Sequence, residues 1–446
     1  MKVLFISLGC DKNLVDSEEM LGYLTEAGHE ITDDESLAEA VVVNTCSFIH
    51  DARQESVDTI LEYAQLREEN KIKALLVTGC LAQRYWDELL EEIPQIDGIL
   101  GIAGCKEIVA ALENACPEKK YVSLPDINTP VAGVKRRVVT TGGHYAHLKI
   151  AEGCDKHCTY CVIPKIRGNF RSVPMEDLIA QAKDLVENKG VKELILVAQE
   201  TTVYGKDLYG KKCLPELLDA LNEISGLVWI RILYCYPEEL DEALISAIKR
   251  NSKVCHYLDI PIQHASDKIL KRMGRRTTKE ELEAKIALLR KEIPDICLRT
   301  TLISGFPGET QEDHEEVWHF VNDTEFDRLG VFTYSPEEGT PAAEMEGQIP
   351  EDVKQERRDE LMELQQAIAF EKAENREGDR LLVMIEGSIP EEGVYIGRTY
   401  MDAPNVDGFI FIRTEQTLMT GDFASVVVTG ANEYDLIGEL EDEYCK

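Results

Sequence analysis

Three cysteines spaced one strand–helix repeat apart constrain this chain more than any other feature. Cys10, Cys46 and Cys80 are separated by 36 and 34 residues. Each directly follows a short apolar run, at residues 3–7, 41–44 and 75–78, in the contexts Ser7-Leu8-Gly9-Cys10, Val43-Asn44-Thr45-Cys46 and Val77-Thr78-Gly79-Cys80. Helical patterns at 16–26 and 53–68 lie between them. Strands alternating with helices predict a parallel sheet in an α/β layer. Open parallel sheets bind ligands beyond the carboxyl ends of their strands, so three thiols are expected to converge there. Gly9 and Gly79 permit the sharp turns and close backbone approach that this requires. A single buried cysteine is ordinarily a small core hydrophobe. Three in register at strand ends read instead as soft ligands of an iron–sulfur cluster with iron left open.

A second set of thiols is local. Ala151-Glu152-Gly153-Cys154-Asp155-Lys156-His157-Cys158-Thr159-Tyr160-Cys161 places three thiolates within eight residues, enough to wrap one 4Fe–4S cluster. Three ligands instead of four leave one iron open, able to chelate the amine and carboxylate of a substrate, as cleavage of S-adenosylmethionine (SAM) needs. A structural zinc site usually pairs its cysteines with a distant second pair. This segment instead follows the first of six expected strands, at 147–150, 194–197, 229–232, 257–260, 297–302 and 328–332, with helical segments such as 175–188 and 280–291 between them. Six strand–helix units make a partial (β/α)6 barrel of the TIM type, in which chemistry sits at the C-terminal strand ends. Cysteines 105, 116, 213, 235, 255, 297 and 445 follow no such pattern and are expected to be unliganded.

The rest of the chain fits around these two units. At 446 residues it exceeds one ordinary core. The expected division is 1–120, a linker at 121–143, the barrel at 144–374 ending in a charged helix at 353–374, and a small β-barrel at 375–446. Short β-type runs at 381–385, 393–397, 408–411 and 425–428 carry the last of these. The fold class is therefore α/β, a Rossmann- or flavodoxin-like sheet plus the partial barrel, with a small all-β C-terminal domain. No apolar run approaches the roughly 20 residues of a membrane helix. The N-terminal segment reads as a strand, not a signal peptide, so a cytoplasmic protein is expected. Thirteen cysteines in such a chain point to metal chemistry more than to disulfides. The net charge of −35 disfavours RNA and suits a basic protein partner. The basic segments 271–276 and 135–137 read as solvated surface.

The Cys-x3-Cys-x2-Cys segment resembles the radical-SAM superfamily signature, and the whole chain resembles the radical-SAM methylthiotransferase family. Ser7-Leu-Gly-Cys-Asp-Lys-Asn-Leu-Val-Asp-Ser-Glu18 and Gly397-Arg-Thr-Tyr-Met-Asp-Ala-Pro-Asn-Val-Asp-Gly408 are similar to its branch that modifies a ribosomal protein. Asp11 departs from the proline usual there. The resemblance implies a TRAM domain at the C-terminus and two 4Fe–4S clusters, on Cys10, Cys46 and Cys80 and on Cys154, Cys158 and Cys161. It also implies SAM, used once for its methyl group and once for a radical. Tyr160 resembles the aromatic that lies against the adenine. Gln199, Glu200, Gln263 and Arg299, at or past strand ends, are expected to line the SAM pocket. The implied product is a methylthio group on the β-carbon of an aspartate in protein twelve of the small ribosomal subunit. An electron donor of flavodoxin or ferredoxin type and an unidentified sulfur donor go with it; with no interface helix or coiled coil evident in the sequence, a monomer is expected. The runner-up is the tRNA-modifying branch, but residues 376–446 hold five Lys/Arg against fifteen Asp/Glu, a poor RNA surface. A cobalamin-dependent radical-SAM methylase is a further rival. No lower-axial histidine motif is evident in residues 1–120, and the three strand-end cysteines would be unexplained.

Overall fold

The computed structural model describes residues 1–114, 119–134 and 136–444. Cys116, Cys445 and Lys135 lie outside the described residues. Among the described residues, no helix is long and apolar enough to cross a membrane.

Six parallel strands form the first sheet, in the order Glu30–Thr32, Lys2–Ser7, Ala40–Thr45, Ala74–Gly79, Gly98–Leu100, Tyr121–Ser123. Ala40–Thr45 and Ala74–Gly79 are buried along their whole length. Sheets covered by helices on both faces produce such continuous Val/Leu runs. The winding direction reverses at Lys2–Ser7, so the crevice between it and Ala40–Thr45 is the switch point where such sheets bind ligands. Cys10 and Cys46 stand at that crevice, and Cys80 follows the next strand over. The outer strands, three residues each, are too short to show a period of two, and the sequence pattern did not reveal them.

A second sheet carries its six parallel strands in chain order: Tyr145–Lys149, Glu193–Val197, Trp229–Ile232, Val254–Asp259, Cys297–Ser304 and Arg328–Thr333. The first and last do not pair, so the barrel stays open, as expected. Its outer face (Leu148, Leu196, Ile230, Leu298) packs into a large core with the surrounding helices. Its inner face shares a core with the C-terminal domain, where Tyr145, Ile195, Trp229 and Tyr257 meet Met384, Met401 and Ala403.

That domain is a closed barrel of five strands, Arg380–Ile389, Val394–Arg398, Ile410–Arg413, Phe423–Asn432 and Asp435–Leu440, reached through the helix Glu351–Glu374. The sequence pattern had shown four; the fifth alternates buried residues with exposed, partly acidic ones. Between the second and third strands, residues 399–407 plug the floor of the larger barrel. Arg231 donates to the Tyr400 carbonyl at 2.6 Å, the Tyr257 hydroxyl to Asp407 at 2.8 Å, and Arg328 to Asp402 at 2.7 Å. Glu193, fully buried, takes Arg231 at 2.8 Å and Arg398 at 2.7 Å. The two guanidiniums hold its carboxyl down near pH 2 against the upward push of burial.

Candidate active site

The helix Asp11–Glu26 begins directly after Cys10 and organises the first triad through Asn13. The fully buried Asn13 amide donates to the carbonyls of Leu8 (3.0 Å) and Thr45 (2.8 Å), and its oxygen lies 3.8 Å from Cys80 Sγ. One side chain thus ties together the ends of all three cysteine-bearing strands. Gly9, at φ +89°, leaves space that no other residue could leave: a Cβ there would sit 2.7 Å from Cys46 Cβ and 2.9 Å from its Sγ. Gly79, at φ +93°, would put a Cβ 2.5 Å from the Thr45 carbonyl. Cys46 is braced by Ser56, whose hydroxyl accepts from its amide at 3.0 Å.

Cys154, Cys158 and Cys161 lie on a loop at the C-terminal end of the first barrel strand. Its amides are held by the Gly168 carbonyl (to Cys154, 3.2 Å) and the Met273 carbonyl (to Thr159, 2.9 Å). The Tyr236 hydroxyl lies 3.0 Å from Cys158 Sγ, and Arg275 stacks on the Tyr236 ring at 3.8 Å. Tyr160 packs with Ile269, Met273 and Phe306, near Cys158 and Arg275.

Burial pushes the Cys46 thiol up, and drives Cys80, Cys154 and Cys161 to about 12. Cys10 adds to the upward push on Cys46, Cys10 and Cys46 to that on Cys80, and Cys158 to that on Cys154 and Cys161. Among the described residues, no three His, Cys, Asp or Glu side chains close on a point that one metal ion would occupy. Each triad is instead a crowd of soft donors that would repel as thiolates. The positive irons of a cluster relieve that repulsion and deprotonate the thiols, so the donor set fits such a group.

The two triads are physically joined. Arg167, fully buried, reaches Cys80 Sγ at 3.5 Å, Asp16 at 3.1 Å and Glu152 at 3.0 Å, and also bonds Asn13. Lys149 bonds the same Asp16 and, at 2.9 Å, Glu152. Glu152 in turn takes the Gln199 amide at 2.8 Å, and Gln199 accepts from the Gly153 amide, beside Cys154, at 2.8 Å. Gln199 is thus a strut of the cysteine loop.

Beside that loop lies a cavity of about 310 Å³, lined in part by Asp155, Lys156, Glu200, Tyr236, Glu238 and Arg276. One oxygen of the buried Glu200 accepts from the Thr202 amide at 2.9 Å, and the other has no hydrogen-bond partner. Burial raises the Glu200 carboxyl to about 7, although Lys156 lies 3.8 Å away. This oxygen is open to a hydroxyl or ammonium donor. Gln263 adopts φ +71° and its backbone bridges to the fifth strand, accepting from Ile303 at 2.8 Å. Arg299 is not brought to the cysteine loop by any of its ion pairs: it pairs with Asp259 at 2.8 Å and faces Asp407 of the C-terminal domain at 3.6 Å. The sequence pattern does not single out Asn13, Arg167 or Tyr236 as site residues: Asn13 stands in it only within a motif, and nothing local marks an arginine six residues after Cys161.

Comparison with known proteins follows the same division. Residues 148–321 match the radical SAM superfamily, residues 378–440 the TRAM domain, and residues 2–101 a family described as uncharacterized, UPF0004. Among solved structures, the radical SAM methyltransferase TsrM from Kitasatospora setae, with cobalamin and a [4Fe-4S] cluster bound, is similar in fold. Its TM-score is 0.53 at 14% identity, covering 89% of this chain and 80% of that one. Fold, cysteine loop and superfamily match define a radical SAM enzyme, a class that uses SAM and a 4Fe–4S cluster. Proteins named ribosomal protein uS12 methylthiotransferase RimO are similar over the full length. One from Lachnoclostridium phytofermentans is 61% identical over 99% of this chain and all of its own. Those from Acetivibrio thermocellus and Clostridioides difficile are 50% and 48% identical, over 100% and 99% of this chain and 99% of each relative. The chain belongs to the RimO family of radical SAM methylthiotransferases.

Proposed function

We propose that this enzyme places a methylthio group on the β-carbon of an aspartate in ribosomal protein uS12, using two 4Fe–4S clusters held by its two cysteine triads. The observation that carries the reading is the continuous chain of contacts from Cys80 through Arg167, Glu152 and Gln199 to Gly153. It fixes two thiol triads, of unrelated origin in the chain, against one another. Cys154, Cys158 and Cys161 would hold the SAM-cleaving cluster, and Cys10, Cys46 and Cys80 the one that presents sulfur. When bound, these groups supply one-electron cleavage of SAM and a methylthio donor, which an unactivated C–H bond requires and acid–base side chains do not provide.

The chain's own residues do the positioning. Asn13 holds the three strand ends of the first triad together. Gln199 holds the backbone before Cys154. Tyr160 lies within the loop of the second triad, Glu200 and Gln263 follow barrel strands, and Glu200 offers a SAM hydroxyl or ammonium an oxygen that has no hydrogen-bond partner. The net charge of −35 and the acidic TRAM domain favour a basic ribosomal protein over RNA. The reading includes domains at 1–120, 144–374 and 375–446 with a linker at 121–143, whose first residues, Tyr121–Ser123, pair as an edge strand of the first sheet, a cytoplasmic monomer and a flavodoxin- or ferredoxin-type electron donor.

The test is anaerobic reconstitution of the parent and a Cys10/Cys46/Cys80 triple-alanine variant, followed by SAM, dithionite and either a uS12 loop peptide or tRNA. About eight irons per parent chain and about four in the variant, with a methylthio mass gain on the peptide only with the parent, are expected. Modification of tRNA and not peptide, or a variant that still adds the group, refutes the proposal.

A further inference from the structure

We infer that Lys12 recognises the substrate by taking the carboxylate of the target aspartate; this rests on the uS12 reading above. Lys12 lies in the first turn after Cys10 and is 5% exposed. Its side chain leaves the N-terminal domain and reaches the barrel, where Nζ sits 3.3 Å from the centroid of the Tyr234 ring. Tyr234 follows the third barrel strand at its C-terminal end and adopts φ +59°. A tyrosine enters that left-handed region only under constraint. Here its amide donates to Asp259 at 3.1 Å and its carbonyl accepts from the Thr201 amide at 3.2 Å. The ammonium is therefore held where the first-triad domain meets the active end of the barrel.

Asp11, the adjacent carboxylate, accepts from the Tyr234 hydroxyl at 3.1 Å and faces His147 at 3.5 Å. Among the described residues Lys12 makes no direct ion pair; its ammonium rests on the Tyr234 ring, and Asp11 and Cys10 attract it from farther away. The ring face offers the ammonium no acceptor oxygen. A carboxylate entering from the barrel would meet its donors with charge-assisted hydrogen bonds.

The chemistry explains why the grip belongs there. In aspartate the reacting β-carbon carries the carboxylate directly. An ammonium fixed on the carboxylate fixes the C–H bond one bond away, beside the triad of Cys10. Asparagine, the same shape without the charge, would lose most of this interaction.

The experiment measures binding of two uS12 loop peptides, with the target Asp and with Asn in its place, to the reconstituted parent and to K12M, K12Q and K12R. Iron per chain is measured alongside. The parent should prefer the Asp peptide by roughly 10- to 100-fold, the worth of a charge-assisted hydrogen bond. K12M and K12Q should show no preference, and K12R should keep most of it. If K12M or K12Q, with iron content equal to the parent, still prefers the Asp peptide as strongly, Lys12 is not the carboxylate anchor. A parent that binds neither peptide, and modifies neither, overturns the uS12 reading itself and the anchor with it.

Discussion

Replacing Arg167 by methionine tests whether the two triads are held together as the structure shows. The guanidinium is 1% exposed and is shared by Asp16 and Asn13 of the N-terminal domain, Glu152 of the barrel loop, and Cys80. Removing one partner of a buried charge group costs about 3–5 kcal/mol, because the remaining charges stay buried. Lys149 still bonds both Asp16 and Glu152, so the lower end, about 3 kcal/mol, is expected. The loss falls on docking of the first domain onto the barrel, since the arginine bridges the two. Hydrogen exchange of the helix Asp11–Glu26 in reduced apoprotein reads this directly. About 3 kcal/mol corresponds to roughly a 100-fold loss of protection there, with little change in the five-stranded barrel. The effect also has a pH signature. Burial pushes the Glu152 carboxyl up, but Arg167 and Lys149 outweigh it and hold it well below its ordinary 4.5. A depressed carboxyl contributes stability above its unfolded pKa, which is lost as pH falls. The gap between parent and variant should therefore be full at pH 7 and narrow as pH drops below 4.5. Protection unchanged in R167M at pH 7 would refute the reasoning, because the contact would then be worth nothing.

Further outcomes follow from single contacts. Gly9→Ala forces a Cβ within 2.7 Å of Cys46 Cβ at a positive φ, so reconstituted iron should fall from about eight to about four per chain while the Cys154 loop keeps its cluster; full loading would show that the close approach is not needed. Glu200 binds a proton more tightly when folded, so between its ordinary 4.5 and about 7 the native state loses stability as pH rises; apoprotein E200Q should gain on the parent by up to roughly 3 kcal/mol at pH 8 and by little at pH 4, measured by urea unfolding. Arg398→Met leaves Glu193 with Arg231 alone and should release the TRAM domain to limited proteolysis, at a cost of about 3 kcal/mol; an unchanged cleavage pattern would count against the plug at residues 399–407.

The chain itself determined much of this protein because its strongest signals are local or periodic. Strand–helix alternation with a cysteine after each strand is a repeat, and it located Cys10, Cys46 and Cys80 at the ends of Lys2–Ser7, Ala40–Thr45 and Ala74–Gly79. The six barrel strands were legible for the same reason: a buried parallel strand is a continuous apolar run with turn residues around it. Three-residue edge strands carry no such period, so Glu30–Thr32 and Tyr121–Ser123 were not. What only the tertiary structure decided are the contacts between segments far apart in the chain. Arg167 meets Cys80 across 87 residues and Asn13 across 154. Lys12 meets Tyr234, and residues 399–407 fill the floor of a barrel that begins at Tyr145. The local sequence around an arginine or lysine looks the same whether the side chain is solvated or buried. Its role is set by which charges the fold carries to it, and that depends on packing the three domains together.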